Sequence, residues 1–168
     1  MSLPVQHHAA PDTDHLRRVF GAYPTGVTAL AAIVDGKPVG MAASSFTSVS
    51  LAPPIVSVCI AHSSSTWPVL RRTRRLGVSV LAADQVDACR ALSARDTDRF
   101  ADLRWRETFG GAVLLDDAGA WIETSIRQVV RAGDHDVVLL DVHDLDRADE
   151  VAPLVFHGSA FRRLAEGE

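Results

Sequence analysis

Cysteine is scarce in this chain: Cys59 and Cys89 are the only two among 168 residues. There is also no secretory signal and no run of about 18 apolar residues, the length that spans a bilayer. We therefore expect a reduced, cytoplasmic protein that does not insert into a membrane. Cys59 lies in the alternating apolar segment IVSVCIA, which favours a small buried thiol over a reactive one.

An excess of positive charge is missing as well. Lysine and arginine number 17 against 21 aspartates and glutamates, so the formal net charge is -4. Binding of a nucleic-acid backbone usually needs a basic face, so we expect no nucleic-acid partner. Only LRRTRR (residues 70–75) is locally basic. This segment is interpreted as a solvated helix face, with contact to a phosphate-bearing ligand as the alternative.

The common metal and nucleotide signatures are absent. None of the seven histidines has HExxH spacing, and His7 and His8 fall in a polar N-terminal segment, residues 1–13, that we expect to be mobile. We expect no metal. The motifs GxGxxG after a strand, GxxxxGK and GxSxG do not occur, which argues against a dinucleotide-binding fold, a phosphate-loop NTPase and an α/β-hydrolase. Residues 14–168 are predicted to form one domain.

The hydrophobic pattern predicts many short strands and few helices. Strands are predicted at residues 27–34, 38–43, 54–61, 76–81, 120–130, 136–145 and 153–161, and helices at 14–20, 66–73 and 84–93. Asp35-Gly36 predicts a hairpin turn, and Ala-Pro-Pro at 52–54 an extended connection. Residues 94–108 read as a surface excursion with a short helix. Without strand–helix alternation, this pattern predicts a mainly β, closed antiparallel barrel.

Three blocks rich in small and hydroxyl residues are the most informative part of the chain. They are YPTGV (23–27), GMAASSFTSVSLAPP (40–54) and CIAHSSST (59–66). In this order and at these separations they resemble the flavin reductase family of FMN-binding split-barrel proteins, over residues 16–164. The resemblance implies an antiparallel split β-barrel of Greek-key topology that binds FMN or FAD and takes electrons from NADH or NADPH.

The same resemblance implies a set of flavin-binding residues. It places Ala42, Ala43, Ser44 and Ser45 at the start of the flavin site, Cys59 to Ala61 beside the ring, and Ser64, Ser65 and Thr66 at the phosphate. The backbone N–H groups at the start of the helix near Thr66 would favour an anion. By itself, SSST would indicate only a helix cap. Family members commonly carry Thr-Ala-Asn-Ser at 42–45, so this chain is expected to use more main-chain contacts and to bind flavin less tightly.

Two further segments resemble motifs of the family. Gly133-Asp134-His135 resembles its GDH motif, which makes His135 the candidate catalytic residue on the nicotinamide side of the flavin. An imidazole suits that place because it can hydrogen-bond a carboxamide or phosphate and change charge near neutral pH. Asp141 stands where the family has glutamate, but the preceding glycine is missing, so no role is assigned to it.

PLVFHGSAF (153–161) resembles the family's closing strand. Phe156 and His157 are expected to reach the partner subunit's flavin pocket, with packing in the core as the alternative for Phe156. The predicted protein is a homodimer, with Trp121, Val155 and Phe161 on candidate interface strands. It would reduce free flavin for a separate flavin-dependent monooxygenase. The alternatives are a non-catalytic flavin- or haem-binding split barrel and a cofactor-free β-barrel interaction module.

Overall fold

The fold is described by a computed structural model that covers residues 12–165. Three helices occur in that range: α1 (Thr13–Phe20), α2 (Trp67–Leu70) and α3 (Val86–Ser93). The strands are β1 (Thr25–Gly26), β2 (Thr28–Val34), β3 (Lys37–Ala43), β4 (Thr47–Leu51), β5 (Pro54–Ala61), β6 (Leu76–Val80), β7 (Trp105–Glu107), β8 (Val113–Leu115), β9 (Ala120–Ala132), β10 (His135–Arg147), β11 (Val155–His157) and β12 (Ala160–Arg162). The mainly β prediction is confirmed.

One large antiparallel sheet carries most of the chain. Its seven strands follow the order β3-β2-β6-β9-β10-β5-β4. β3 and β4 are its two edge strands, yet they are consecutive in the chain, so the short segment between them passes from one edge of the sheet to the other. Ser45 in this segment donates a hydrogen bond to the Cys59 carbonyl and accepts one from the Cys59 N–H, both at 2.8 Å. These bonds hold the segment against β5. Smaller sheets are formed by β1-β11-β12 and by β7-β8.

Strand β2 explains why the barrel has two hydrophobic clusters. All of Thr28 to Ala32 is buried, so the strand is covered on both faces. Leu30 and Ala32 belong to the cluster inside the barrel, whereas Ala29 and Ala31 belong to a second cluster beneath α3 and β8. Side chains alternate between the faces of a strand, which places two alanines, Ala29 and Ala31, together on the face that α3 and β8 cover. The small alanines let the covering elements approach closely.

The turns agree only partly with the expectations from the sequence. Asp35 and Gly36 both have positive φ, 50° and 75°, as a type I′ hairpin requires, and this predicted turn is confirmed. The prediction of an extended connection at residues 52–54 is wrong. Leu51 pairs with Pro54, so Ala52 and Pro53 form a tight turn, with a cis peptide bond between them. A cis proline fits a tight turn because it reverses the chain within a few residues.

Three other elements differ from their predicted form. No helix occurs in residues 94–108, where the only regular element is β7. The strand predicted at 153–161 is a hairpin of β11 and β12, because Gly158 and Ser159 have positive φ and reverse the chain. The helix predicted from Thr66 spans only Trp67–Leu70. Within residues 12–165, no helix is long and apolar enough to cross a bilayer.

The prediction for the N-terminus falls mostly outside the described residues. His7 and His8 lie there, and α1 begins at Thr13 with Asp12 as its N-cap. Among residues 12–165, no three histidine, cysteine, aspartate or glutamate side chains come close enough to hold a metal ion. Cys89 is buried, and this burial raises the pKa of its thiol.

Candidate active site

A groove runs along one side of the barrel and consists of two adjoining cavities. The larger, of about 380 Å³, lies between the β5–α2 loop and the segment after α3. The smaller, of about 230 Å³, lies between the end of β3 and the β11–β12 hairpin. Ala42 and Ser93 line both cavities, so the two lie side by side. The larger cavity is the polar end of the groove, and the smaller is its apolar end.

Hydroxyl groups of the β5–α2 loop line the polar end. We call residues 63–66 the hydroxyl loop; all four residues line this cavity. The Ser64 hydroxyl accepts a hydrogen bond from the N–H of Trp67 at 3.2 Å and so caps α2. The side chains of Ser63 and Ser65 make no hydrogen bond with any other residue of the range 12–165. Their hydroxyls are therefore available to a ligand.

The cap predicted from Thr66 is wrong. Thr66 occupies the N-cap position, but its φ of -87° and ψ of -37° are helical, and its side chain makes no capping bond. An N-cap side chain reaches the first turn from an extended backbone, which Thr66 does not have. Its Oγ1 instead accepts a hydrogen bond from Nη1 of Arg99 at 2.9 Å. Thr66 is thereby held at the border of the polar end.

Arg99 lines the polar end of the groove together with Arg95 and Asp96, and its role was missed from the sequence. Its Nε donates to the Ala94 carbonyl at 2.7 Å, and its Nη1 donates to the Gly40 carbonyl and to Thr66 Oγ1, each at 2.9 Å. All of these acceptors are neutral, and no carboxylate within residues 12–165 pairs with this guanidinium. A positive charge without a counter-ion beside an open cavity favours an anion. The polar composition of residues 94–108 was the only signal for it.

The apolar end is built from small side chains and two aromatic rings. Val27, Ala42, Ala43 and Ser44 line it on the barrel side. Opposite them, Phe156 and Phe161 pack edge to face with ring centroids 5.5 Å apart. Phe156 thus packs in its own chain's second cluster and also lines that chain's groove. An apolar slot of this kind suits a planar heterocycle.

Four predicted site residues, including His135, do not line either cavity. The Ser45 hydroxyl is occupied by its two hydrogen bonds to Cys59. Cys59 itself is exposed, so the prediction of a buried thiol is wrong. On β5 the side chains of Val56, Val58 and Ile60 face the core, which turns Cys59 to the other face. His157 is exposed at the end of β11, and its expected contact with a partner subunit stays a prediction.

His135 lies at the rim of the polar end. Gly133, with φ of 62°, opens the two-residue turn that joins β9 to β10, as a type II′ hairpin requires. His135 is the first residue of β10 and pairs in register with Ala61, which lines the larger cavity. Its Nδ1 lies 2.7 Å from Oδ1 of Asp134, and this hydrogen bond lowers the pKa of Asp134. The imidazole is 44% exposed and remains accessible to a ligand.

A second histidine, His62, was also missed. Its Nε2 lies 2.9 Å from Oδ1 of Asp136, and its backbone N–H donates to the Asp134 carbonyl at 2.9 Å. Asp136 is nearly buried, and the hydrogen bond from His62 lowers the pKa of its carboxyl. Farther along the same hairpin, Asp141 accepts a hydrogen bond from Arg127 at 2.8 Å.

The groove of this antiparallel barrel is apolar at one end and lined by hydroxyls and arginine at the other. Such a groove suits a phosphorylated heterocycle and lies outside any dinucleotide-binding fold. Residues 20–165 match the family model described as the flavin reductase like domain. The chain belongs to this family, and its fold is the predicted split barrel.

Known relatives resemble nearly the whole chain. A flavin reductase of Pseudomonas putida is 38% identical over 94% of this chain and 93% of its own length. The reductase subunit of a flavin-dependent monooxygenase from Rhodococcus jostii is 38% identical over 88% of this chain and 76% of its own length. Among solved structures, an NADH:FAD oxidoreductase of Streptomyces globisporus in complex with NAD and FAD fragments superimposes with a TM-score of 0.87. It is 37% identical and covers 92% of this chain and 93% of its own.

Proposed function

We propose that this protein is an NAD(P)H:flavin oxidoreductase that reduces free FMN or FAD and supplies the reduced flavin to a separate flavin-dependent monooxygenase. The observation that carries the proposal is the groove of two adjoining cavities, apolar at one end and lined by hydroxyls and Arg99 at the other, where Ala61 is the register partner of His135. Its relatives include a flavin reductase and a monooxygenase reductase subunit, which supports the same reaction and the same kind of partner.

The residues of the groove fit a flavin. Ala42, Ala43, Ser44 and Phe156 would hold the ring system at the apolar end. Ser64, Ser65 and Thr66 would meet the phosphate, with Arg99 supplying the positive charge that the sequence did not reveal. Cys59 and Ser45 would act through the backbone of β5, because neither lines the groove. Bound flavin supplies the redox chemistry by accepting a hydride from the reduced nicotinamide.

His135 is proposed to orient the nicotinamide substrate. The GDH turn presents its imidazole at the rim of the polar end, opposite Ala61 in the strand register. Asp134 holds Nδ1, which fixes the ring and leaves Nε2 free to bond a carboxamide or phosphate. The protein contributes orientation and exclusion of water, since hydride transfer needs the reacting atoms about 3–3.5 Å apart.

The protein is further proposed to be a cytoplasmic homodimer. β4 is an edge strand of the large sheet, and its Val49 and Leu51 are exposed. A second subunit that covered such an edge would remove apolar surface from water and shield unpaired backbone groups. The proposed interface residues Trp121, Val155 and Phe161 are half-buried within the single chain and would contribute only part of that surface.

The test is steady-state oxidation of NADH or NADPH by purified protein, with and without added FMN or FAD. Turnover should depend on added flavin, because flavin is proposed to be a substrate and not a fixed prosthetic group. An unchanged rate after exhaustive flavin removal would contradict this. Tightly retained flavin or haem without NADH consumption would indicate a binding protein, and colourless protein that no flavin protects from thermal unfolding would indicate an interaction module.

A further inference from the structure

Two hydrogen bonds of one residue join the start of the hydroxyl loop to the β9–β10 hairpin; we call them together the His62 bridge. The backbone N–H of His62 donates to the Asp134 carbonyl, and its ring Nε2 contacts Oδ1 of Asp136, each at 2.9 Å. The imidazole is 34% exposed, while the Asp136 side chain is only 13% exposed. The bridge therefore rests on a carboxylate that the surrounding strands hold in place.

The bridge lies between the hydroxyl loop and the turn that carries His135, so it contacts both segments. His62 directly precedes the hydroxyl loop, and its two partners flank His135 on either side. The β5–β10 pairing ends at Ala61 and His135, so the chain beyond this pair is no longer held by the strand ladder. The His62 bridge ties the start of the hydroxyl loop to the GDH turn, and the Trp67 side chain, just after the loop, also contacts the Asp136 carboxyl.

We propose that His62 is a positioning residue that sets the alignment of the nicotinamide on the flavin by fixing the hydroxyl loop against the turn that carries His135. The hydroxyl loop would bind the phosphate of the flavin, and the turn would bind the nicotinamide. The bridge would therefore set the distance between the two ligands. A misplacement of about 1 Å can slow a reaction about 100-fold. The inference rests on the proposed function, because the groups being aligned are those of that reaction.

Several charged groups surround the bridge, but its bond to Asp136 does not require a charged imidazole. Asp136 faces the ring from β10, Asp134 and His135 lie in the turn, and Arg71 acts on the same carboxylate from the end of α2. An imidazole protonated at Nε2 donates to a carboxylate whether or not Nδ1 also carries a proton. The contact with Asp136 thus needs the Nε2 proton and not the positive charge. A glutamine at position 62 should therefore substitute for the histidine, because its side-chain amide can also donate a hydrogen bond to Asp136.

The experiment measures kcat and KM for NADH at saturating flavin in four variants. His62→Ala should lower kcat about tenfold or more, while His62→Gln should restore most of it. The double variant His62→Ala/Asp136→Ala should show the same loss of kcat. It leaves no buried carboxylate without a partner, so it tests the proposal even if His62→Ala fails to fold. Arg127→Ala is the matched control, because it removes a 2.8 Å ion pair from the same hairpin, away from the groove.

The outcomes separate the two proposals. Arg127→Ala should keep the wild-type kcat, and a loss in His62→Ala that glutamine rescues supports the positioning role. A folded His62→Ala or double variant with wild-type kcat and KM would overturn it while the proposed function stands. An equal loss in Arg127→Ala would also overturn it, since the effect would then belong to the hairpin in general. Absence of flavin-dependent NADH oxidation by the wild type would overturn the proposed function and this inference together.

Discussion

The proposed function divides the side chains of the site into a flavin half and a nicotinamide half. Arg99 and the hydroxyl loop belong to the first, and His135 belongs to the second. The two halves are contributed by different elements, so substitutions in each should have separable effects on binding and on turnover.

Replacing Ser65 and Thr66 together by alanine should weaken flavin binding at least about tenfold. The double substitution removes two hydroxyls from the polar end and deprives Arg99 of one neutral acceptor. Hydrogen bonds to a charged phosphate contribute roughly 1.5–3 kcal/mol each, and every 1.4 kcal/mol is about tenfold in affinity. Fluorescence titration with FMN or FAD measures the change. Ser48→Ala, which removes a hydroxyl from β4 away from both cavities, is the control.

Replacing His135 by alanine should raise the KM for the nicotinamide substrate or slow hydride transfer, with flavin affinity changed much less. The imidazole lies at the rim of the groove and does not line either cavity, so flavin loses no direct contact. Stopped-flow reduction at saturating flavin decides the matter. If the variant keeps the NADH dependence of the wild type, His135 has no role in the reaction and the GDH segment is only a turn.

Asp136 should make the stability of the protein sensitive to acid. Its hydrogen bond with His62 lowers the pKa of the folded carboxyl below the unfolded value of about 3.9. The contribution is therefore fully present above that value and is lost as the pH falls through the folded pKa. Asp136→Asn should lose less stability than the wild type between neutral and acidic pH. Urea unfolding at a series of pH values measures this, and parallel curves would contradict it.

At the scale of elements, the segment between β3 and β4 decides whether the barrel holds together beside the groove. Ser45 replaces the missing strand pairing there with two hydrogen bonds to Cys59. Residues just before it, Ala42 to Ser44, line the apolar end of the groove. Stability and ligand binding are therefore linked at this junction.

Ser45→Ala should lower the free energy of unfolding by about 1–3 kcal/mol, because each hydrogen bond contributes roughly 0.5–1.5 kcal/mol. Urea denaturation measures the loss. The matched control is Ser48→Ala on β4, whose hydroxyl makes no hydrogen bond to another side chain or backbone group of residues 12–165. Equal stability of the two variants would show that the Ser45 hydroxyl does not hold the junction.

At the scale of the whole molecule, the exposed edge strand predicts self-association. Leu51 on β4 is 93% exposed, which is unusual for a large apolar side chain on a sheet edge. We expect a dimer at micromolar concentration by light scattering, and Leu51→Lys should shift the mass toward the monomer if this edge is the interface. A monomer mass for the wild type would contradict the dimer, and an unshifted variant would place the interface elsewhere.

What the sequence determined by itself was local. Alternating side chains identified most strands, Asp35-Gly36 identified a hairpin, and the hydroxyl blocks and the GDH segment pointed to the family and to most of the groove. These signals need only neighbouring residues, because strand alternation and turn chemistry act within a few positions.

Only the tertiary structure decided the contacts that complete the site. Arg99 reaches Thr66 across 33 positions, and His62 reaches Asp136 across 74. One of four arginines in a polar segment and a single histidine after a strand carry no local pattern, so neither could be recognised before the strands were paired. The exposure of Cys59 was likewise set by which face of β5 meets the core. Such choices depend on packing between distant segments, which no short stretch of sequence encodes.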